Sequence, residues 1–114
     1  MANTFLSETS AGIGTSPVTI YTCPSATQST VIGLLVANVH SAGITVDVQL
    51  DASGRTSGAE DSVYLVKSAP VPVGGALVVV GGDQKVVMEA GDSVKVTSSA
   101  ASSADVQLSH LDIS

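Results

Sequence analysis

Apolar residues recur at every second position along most of this chain, in short segments that end at clusters of Gly, Pro, Ser or Asp. Period two marks a β-strand, because successive side chains of an extended chain point to opposite faces. The clearest case runs from Ile44 to Asp51. Ile44, Val46, Val48 and Leu50 fall on one face and Thr45, Asp47, Gln49 and Asp51 on the other, which predicts one dry and one wet surface. The preceding stretch, Thr30 to His40, is apolar on both faces, with Leu34 and Val36 alternating with Leu35, Ala37 and Val39. That pattern fits a strand covered on both sides, either central in its sheet or beneath a neighbouring subunit. The short link Ser41-Ala42-Gly43 predicts a hairpin between the two.

Further strands are predicted over Val18 to Thr22, Val63 to Lys67, Ala76 to Val80, Lys85 to Met88, Ser93 to Thr97 and Asp105 to Ile113. Pro17 and Pro24 bound the first of these, and Pro70 and Pro72 are expected to straighten the connection after the second, since proline donates no ladder hydrogen bond. In the last segment Val106 and Leu108 share one phase while Leu111 and Ile113 fall in the other, and a β-bulge near Ser109 or His110 would reconcile them. No segment has a helical period. About eight short strands with a turn signal every ten residues or so predict an all-β fold, an antiparallel β-sandwich or small jelly roll. Residues 1–16 are expected to form an extended N-terminal arm or an edge strand, and residues 17–114 a single sandwich domain.

Composition adjusts this picture in two ways. Charged residues make up only 12% of the 114-residue chain and aromatic ones 3%, so Val, Leu, Ile and Ala must build the core while Ser, Thr and Gly coat the surface. A sparse charge coat with a large aliphatic share suits a protein that buries surface between subunits, and a homo-oligomer is expected. The net charge of −6, with Arg55, Lys67, Lys85 and Lys95 scattered, opposes nucleic-acid binding, which needs clustered cations to displace counterions from phosphates. The longest apolar run, Val31 to Ala37, is far short of the roughly 20 residues that cross a bilayer, and the opening residues have no signal-peptide pattern. Cys23 is the one cysteine, so no intrachain disulfide forms and folding in a reducing cytosol is expected.

Reactive side chains are few. Nucleophilic catalysis would draw on Cys23, His40 and His110, whose spacing favours no triad, and a packing or rim role is expected for each. Zinc would need a C-x-x-C or similar ligand spacing that the chain lacks. Calcium could be offered oxygens by Asp51, Ser53, Glu60 and Asp61 around one polar loop, although the twelve-residue calcium-loop pattern is missing, so a solvated loop is expected. Gly12-Ile13-Gly14, Gly74-Gly75 and Gly81-Gly82 lack the Lys and helix of a phosphate cradle and read as turn formers. With only Phe5, Tyr21 and Tyr64 as rings, sugar and single-strand nucleic-acid recognition by stacking are weakly supported. No enzyme activity and no cofactor are expected.

The order of features resembles a group of small bacteriophage virion structural proteins. The resemblance lies in the run from Val31 to Val48, in Tyr64-Leu65-Val66-Lys67 with Pro70 and Pro72, in Glu89-Ala90-Gly91-Asp92-Ser93-Val94-Lys95-Val96, and in the closing segment Ala104 to Ile113. It implies a head decoration (cement) protein, or else a tail, neck or fibre component, folded in the host cytoplasm and then carried on the virion. It also implies a trimer bound noncovalently to the major capsid protein. In that setting Phe5, Leu6 and Ile13 of the N-terminal arm would be the apolar anchors of an added strand. A carbohydrate- or calcium-binding module using the Asp51 to Asp61 loop is the alternative of another class.

Overall fold

The computed structural model describes residues 3–55 and 61–114. Nine strands follow one another among these residues: β1 (Asn3–Ile13), β2 (Val18–Thr22), β3 (Gln28–Asn38), β4 (Ile44–Asp51), β5 (Val63–Val71), β6 (Ala76–Val80), β7 (Val86–Met88), β8 (Ser93–Ser98) and β9 (Ala104–Ile113). They form two antiparallel sheets. One has the order β1-β9-β3-β6, with β7 also on β3, and the other β2-β8-β4-β5. The predicted β-sandwich is the fold.

Alternation dictates what lies between the sheets. Ile44, Val46 and Val48 of β4 and Val94 and Val96 of β8 point inward against Val31, Leu34, Val36, Val106 and Leu108 of β3 and β9. Met88, Val71, Val80 and Ile13 complete the core. At about 25 cal/mol per Å² of apolar surface, each fully buried Val or Leu contributes roughly 1.5–3 kcal/mol, so a core almost without rings is built from many small increments.

The structure corrects three local expectations. β3 and β4 do not form a hairpin. They belong to different sheets, and the chain crosses between layers where the Asn38 side-chain amide donates to the carbonyls of Ala42 and Val71, both at 3.0 Å. Pro70 lies inside β5 rather than in a connection, which is allowed because β5 is an edge strand and Pro needs no partner for an outward-facing nitrogen. β9 has no bulge at Ser109 or His110. The irregularity is in β3, between Val31 and Gly33, where the inward phase switches from Ser29 and Val31 to Leu34 and Val36. The inward phase of β9 instead continues unbroken through Val106 and Leu108 to His110, which is fully buried.

At the N-terminus, where an extended arm or an edge strand is expected, the described residues form the edge strand. No free arm exists among the described residues of the 1–16 segment, because β1 pairs with β9 from Asn3↔Ile113 to Ser10↔Val106 without a break, then bulges around Gly12 (φ +67°) before Ile13↔Ala104. Of its three expected anchors, Phe5 and Leu6 are exposed, but Ile13 is buried in the chain's own core and offers nothing to a partner.

Candidate functional site

Two features stand apart from ordinary sandwich packing: a buried polar cluster at one end of the β1-β9-β3 layer, and the outer face and edge of that same layer.

The cluster is assembled by register. His110 on β9 lies between Glu8 of β1, whose carboxylate is 3.0 Å from Nε2, and Asp112, two residues along the same face, 2.7 Å from Nδ1. Ionised carboxylates only accept hydrogen bonds, so an N–H on either ring nitrogen finds an acceptor there. Tyr21 of β2 stacks on the imidazole, with ring centroids 3.9 Å apart, and its hydroxyl donates to Asp112 at 2.8 Å. The Ser29 hydroxyl also donates to Asp112, at 2.6 Å, and lies 3.4 Å from the Cys23 sulfur. Burial pushes Asp112 upward, but the hydrogen bonds from Ser29, Tyr21 and His110 outweigh it and hold the carboxyl below its ordinary value. Burial raises Tyr21 well above the ordinary phenol range, and it raises the Cys23 thiol as well.

This cluster holds the residue types of a nucleophilic site in the wrong order. A Ser–His–Asp relay needs the imidazole between nucleophile and acid. Here Asp112 lies between Ser29 and His110, and both ring nitrogens are taken by carboxylates. Cys23, which is buried, donates toward the carbonyl of Thr27 at 3.3 Å and meets no histidine. The arrangement ties β1, β2, β3 and β9 together. Glu8 and Asp112 also lie on opposite sides of the ring, and among the described residues no group of three or more His, Cys, Asp or Glu is placed to hold a metal ion. His40, the other histidine, is far from this cluster at the β3–β4 crossing, where its backbone N–H donates to the Asn38 side chain at 2.7 Å.

At the start of the polar loop after β4, Asp51 is already engaged within the chain. Asp51 receives the Ser53 N–H and hydroxyl (3.0 and 2.6 Å) and the Ser62 hydroxyl (3.0 Å) on one oxygen, and the Lys95 ammonium at 2.7 Å on the other. Lys95, then the Ser53 and Ser62 donors, hold its carboxyl far below the usual range. A cation at Asp51 would have to displace an ammonium already there. Glu60, the other carboxylate proposed for an ion, lies outside the described residues, and Asp61 is exposed.

The outer face of the first sheet is different, because none of the described residues covers it. Pairing sets its side chains in rows: Val87, Thr30, Leu111 and Phe5 form one row across β7, β3, β9 and β1, and Val78, Leu35, Gln107 and Thr9 another across β6, β3, β9 and β1. Phe5 is 73% exposed, Val78 64%, Val87 62% and Leu35 37%. Ala37, Ala11 and Asp105 line a shallow apolar depression beside Leu35. This explains the doubly apolar pattern of β3, whose inner phase meets the core while its outer phase meets solvent.

The sequence points to Phe5, Leu6 and Ile13 as surface anchors, of which Phe5 and Leu6 are exposed, and to β3 as a strand covered on both sides, whereas its outer phase faces solvent. It does not reveal Glu8 and Asp112 as partners of His110, or Ser29 as a partner of Asp112. A signal was available: in Val106-Gln107-Leu108-Ser109-His110-Leu111-Asp112 the inward positions simply continue as polar residues.

No family model matches the chain, and no curated protein matches it. Among solved structures, one from work on Bacillus endospore appendages, described there as a novel family of disulfide-linked pili, is similar at 12% identity and a TM-score of 0.46, over 98% of this chain and 88% of that one.

Proposed function

We propose that this chain is a structural assembly protein of a bacteriophage virion, with capsid decoration as its finer role. The observation that carries the assembly reading is the uncovered apolar outer face of the β1-β9-β3-β6 sheet, where Phe5, Leu35, Val78 and Val87 stand in cross-strand rows. Single exposed hydrophobics are normal on a protein surface, but aligned rows on one sheet face are the pattern of a surface that a neighbour covers. The assignment to a virion rests on the resemblance in the segments Val31 to Val48, Glu89 to Val96 and Ala104 to Ile113. In this reading the outer face seats on the capsid shell and contacts stay noncovalent, since the one thiol is buried.

Electron microscopy of intact particles labelled with a gold-conjugated antibody against the purified chain tests it. Regular labelling of the head shell is the expected result. Particles that carry no label on head, neck or tail contradict the virion assignment.

A further inference from the structure

A sheet that ends in an unpaired strand presents a row of backbone donors and acceptors to any extended chain, and proteins blunt such edges with short strands, lysine, proline or bulges. Three of the four edges here are blunted. β5 carries Lys67 in mid-strand, Pro70, and Ser68 in a left-handed conformation (φ +52°), and its register with β4 breaks twice. β2 has five residues, lies between Pro17 and Pro24, and shifts register between Thr19 and Tyr21. The β6 edge is split between two short strands, β6 and β7, of five and three residues. The fourth edge, β1, has eleven residues with no Lys, Arg or Pro, and is regular from Asn3 to Ser10.

The geometry points to β1 as the edge on which a second copy of this chain adds, antiparallel and about a two-fold axis, so that the two first sheets join into one. The regular part of β1 ends at Ser10, before the bulge around Gly12, and the midpoint of Thr4 to Ser10 is Ser7. An axis there sets Ser7 against Ser7 of the second copy, Phe5 against Thr9, Leu6 against Glu8, and Thr4 against Ser10. Glu8, the one charge on the strand, is then kept from facing its own copy, and like charges directly opposite each other are what a cross-strand pair must avoid. Phe5 and Thr9 lie on the outer face in both copies, so the two cross-strand rows run on into each other across the junction.

The strand is also held ready for pairing. On its inner face Glu8 is bonded to buried His110; on its outer face the Ser7 hydroxyl accepts from Gln107 at 3.0 Å; and the Gly12 N–H donates to Asp105 at 3.0 Å. A segment already ordered on both faces gives up less conformational freedom when a partner adds. A two-fold pair of this kind is isologous and closes after two copies. The inference rests on the assembly reading but not on which particle receives the chain.

The test measures the mass of the full chain in solution by sedimentation as a function of concentration, for the wild type and for Ser7→Lys and Ser7→Asp. Ser7 is exposed, so both variants keep the fold, which circular dichroism checks. Expected are a concentration-dependent pair of 11.3 kDa chains for the wild type, self-association weakened by about fivefold or more in each variant, and recovery on mixing the two variants one to one, where Lys meets Asp. A monomer at all concentrations, a three-chain mass, or variants that pair as the wild type does overturns the pairing. A non-pairing chain that still decorates particles sinks this inference alone, whereas one that pairs but never labels particles sinks the virion reading alone.

Discussion

Gly91 and Gly54 meet backbone to backbone where the loop after β4 crosses the turn into β8. A Cβ on Gly91 would lie 2.1 Å from the Gly54 carbonyl oxygen, and Gly91 has φ +93°, a conformation that L side chains rarely adopt. The same contact is clamped by Arg55, whose guanidinium grips fully buried Asp92 through Nε at 3.0 Å and Nη2 at 2.7 Å. Gly91→Ala therefore combines a steric collision with backbone strain and is expected to destabilise by about 2–4 kcal/mol, read as a lower denaturant midpoint at unchanged slope. At the same end of the sandwich, His110→Ala removes the ring that bridges Glu8 and Asp112 and leaves a void beside the largely buried Asp112, at a cost of about 3–5 kcal/mol. Glu8→Ala should cost only about 1 kcal/mol, because Glu8 is partly solvated at the sheet edge. Chemical denaturation of both variants checks the ratio.

At the scale of elements, the sequence located β2, β4 and β6 to the residue, β2 and β4 by alternation and β6 as a short apolar run, each with a Pro, Gly or Asp near its ends. It failed where two strands had to be read together. The bulge in β3 at Ile32 and the polar continuation of β9 both shift an apparent phase, and only the pairing between these strands shows which of them carries the irregularity. The β3–β4 link looked like a hairpin because its length and Gly43 suit one; whether such a link turns within a sheet or crosses to the next is decided by Asn38, a contact between distant residues that local pattern does not carry. The polar cluster was illegible for the same reason, as Glu8 and His110 are 102 positions apart. β1 was legible as a strand-like segment with exposed Phe5 and Leu6. Its place at the edge of the sheet also alters what truncation does: deletion of residues 1–13 removes core residue Ile13 and the partner of His110, and is expected to lower the thermal midpoint sharply rather than leave an intact domain.

For the whole molecule, stability should hold between about pH 5 and 8 and fall on both sides. On the acid side Asp51 and Asp112 bind protons less readily in the folded chain than in the unfolded one. Below their ordinary range the unfolded chain is favoured by proton uptake, so their contribution is present above the ordinary carboxylate value and is lost as the pH falls. On the alkaline side buried Tyr21 and Cys23 keep their protons beyond the ordinary phenol and thiol values, so their contribution is full below those values and is lost as the pH rises through them. Thermal unfolding across pH is expected to show this plateau, with Asp112→Asn flattening the acid limb and Tyr21→Phe the alkaline limb. Among the described residues the same sandwich leaves one broad sheet face without cover, and the proposed assembly role requires that face to be a docking surface. The most direct measurement is the share of a face variant, Leu35→Asp with Val78→Asp, that co-sediments with particles when produced beside the wild-type chain. At equal folded stability the wild type is expected in the particle fraction and the variant in the supernatant; equal shares of the two in the particles would contradict the account.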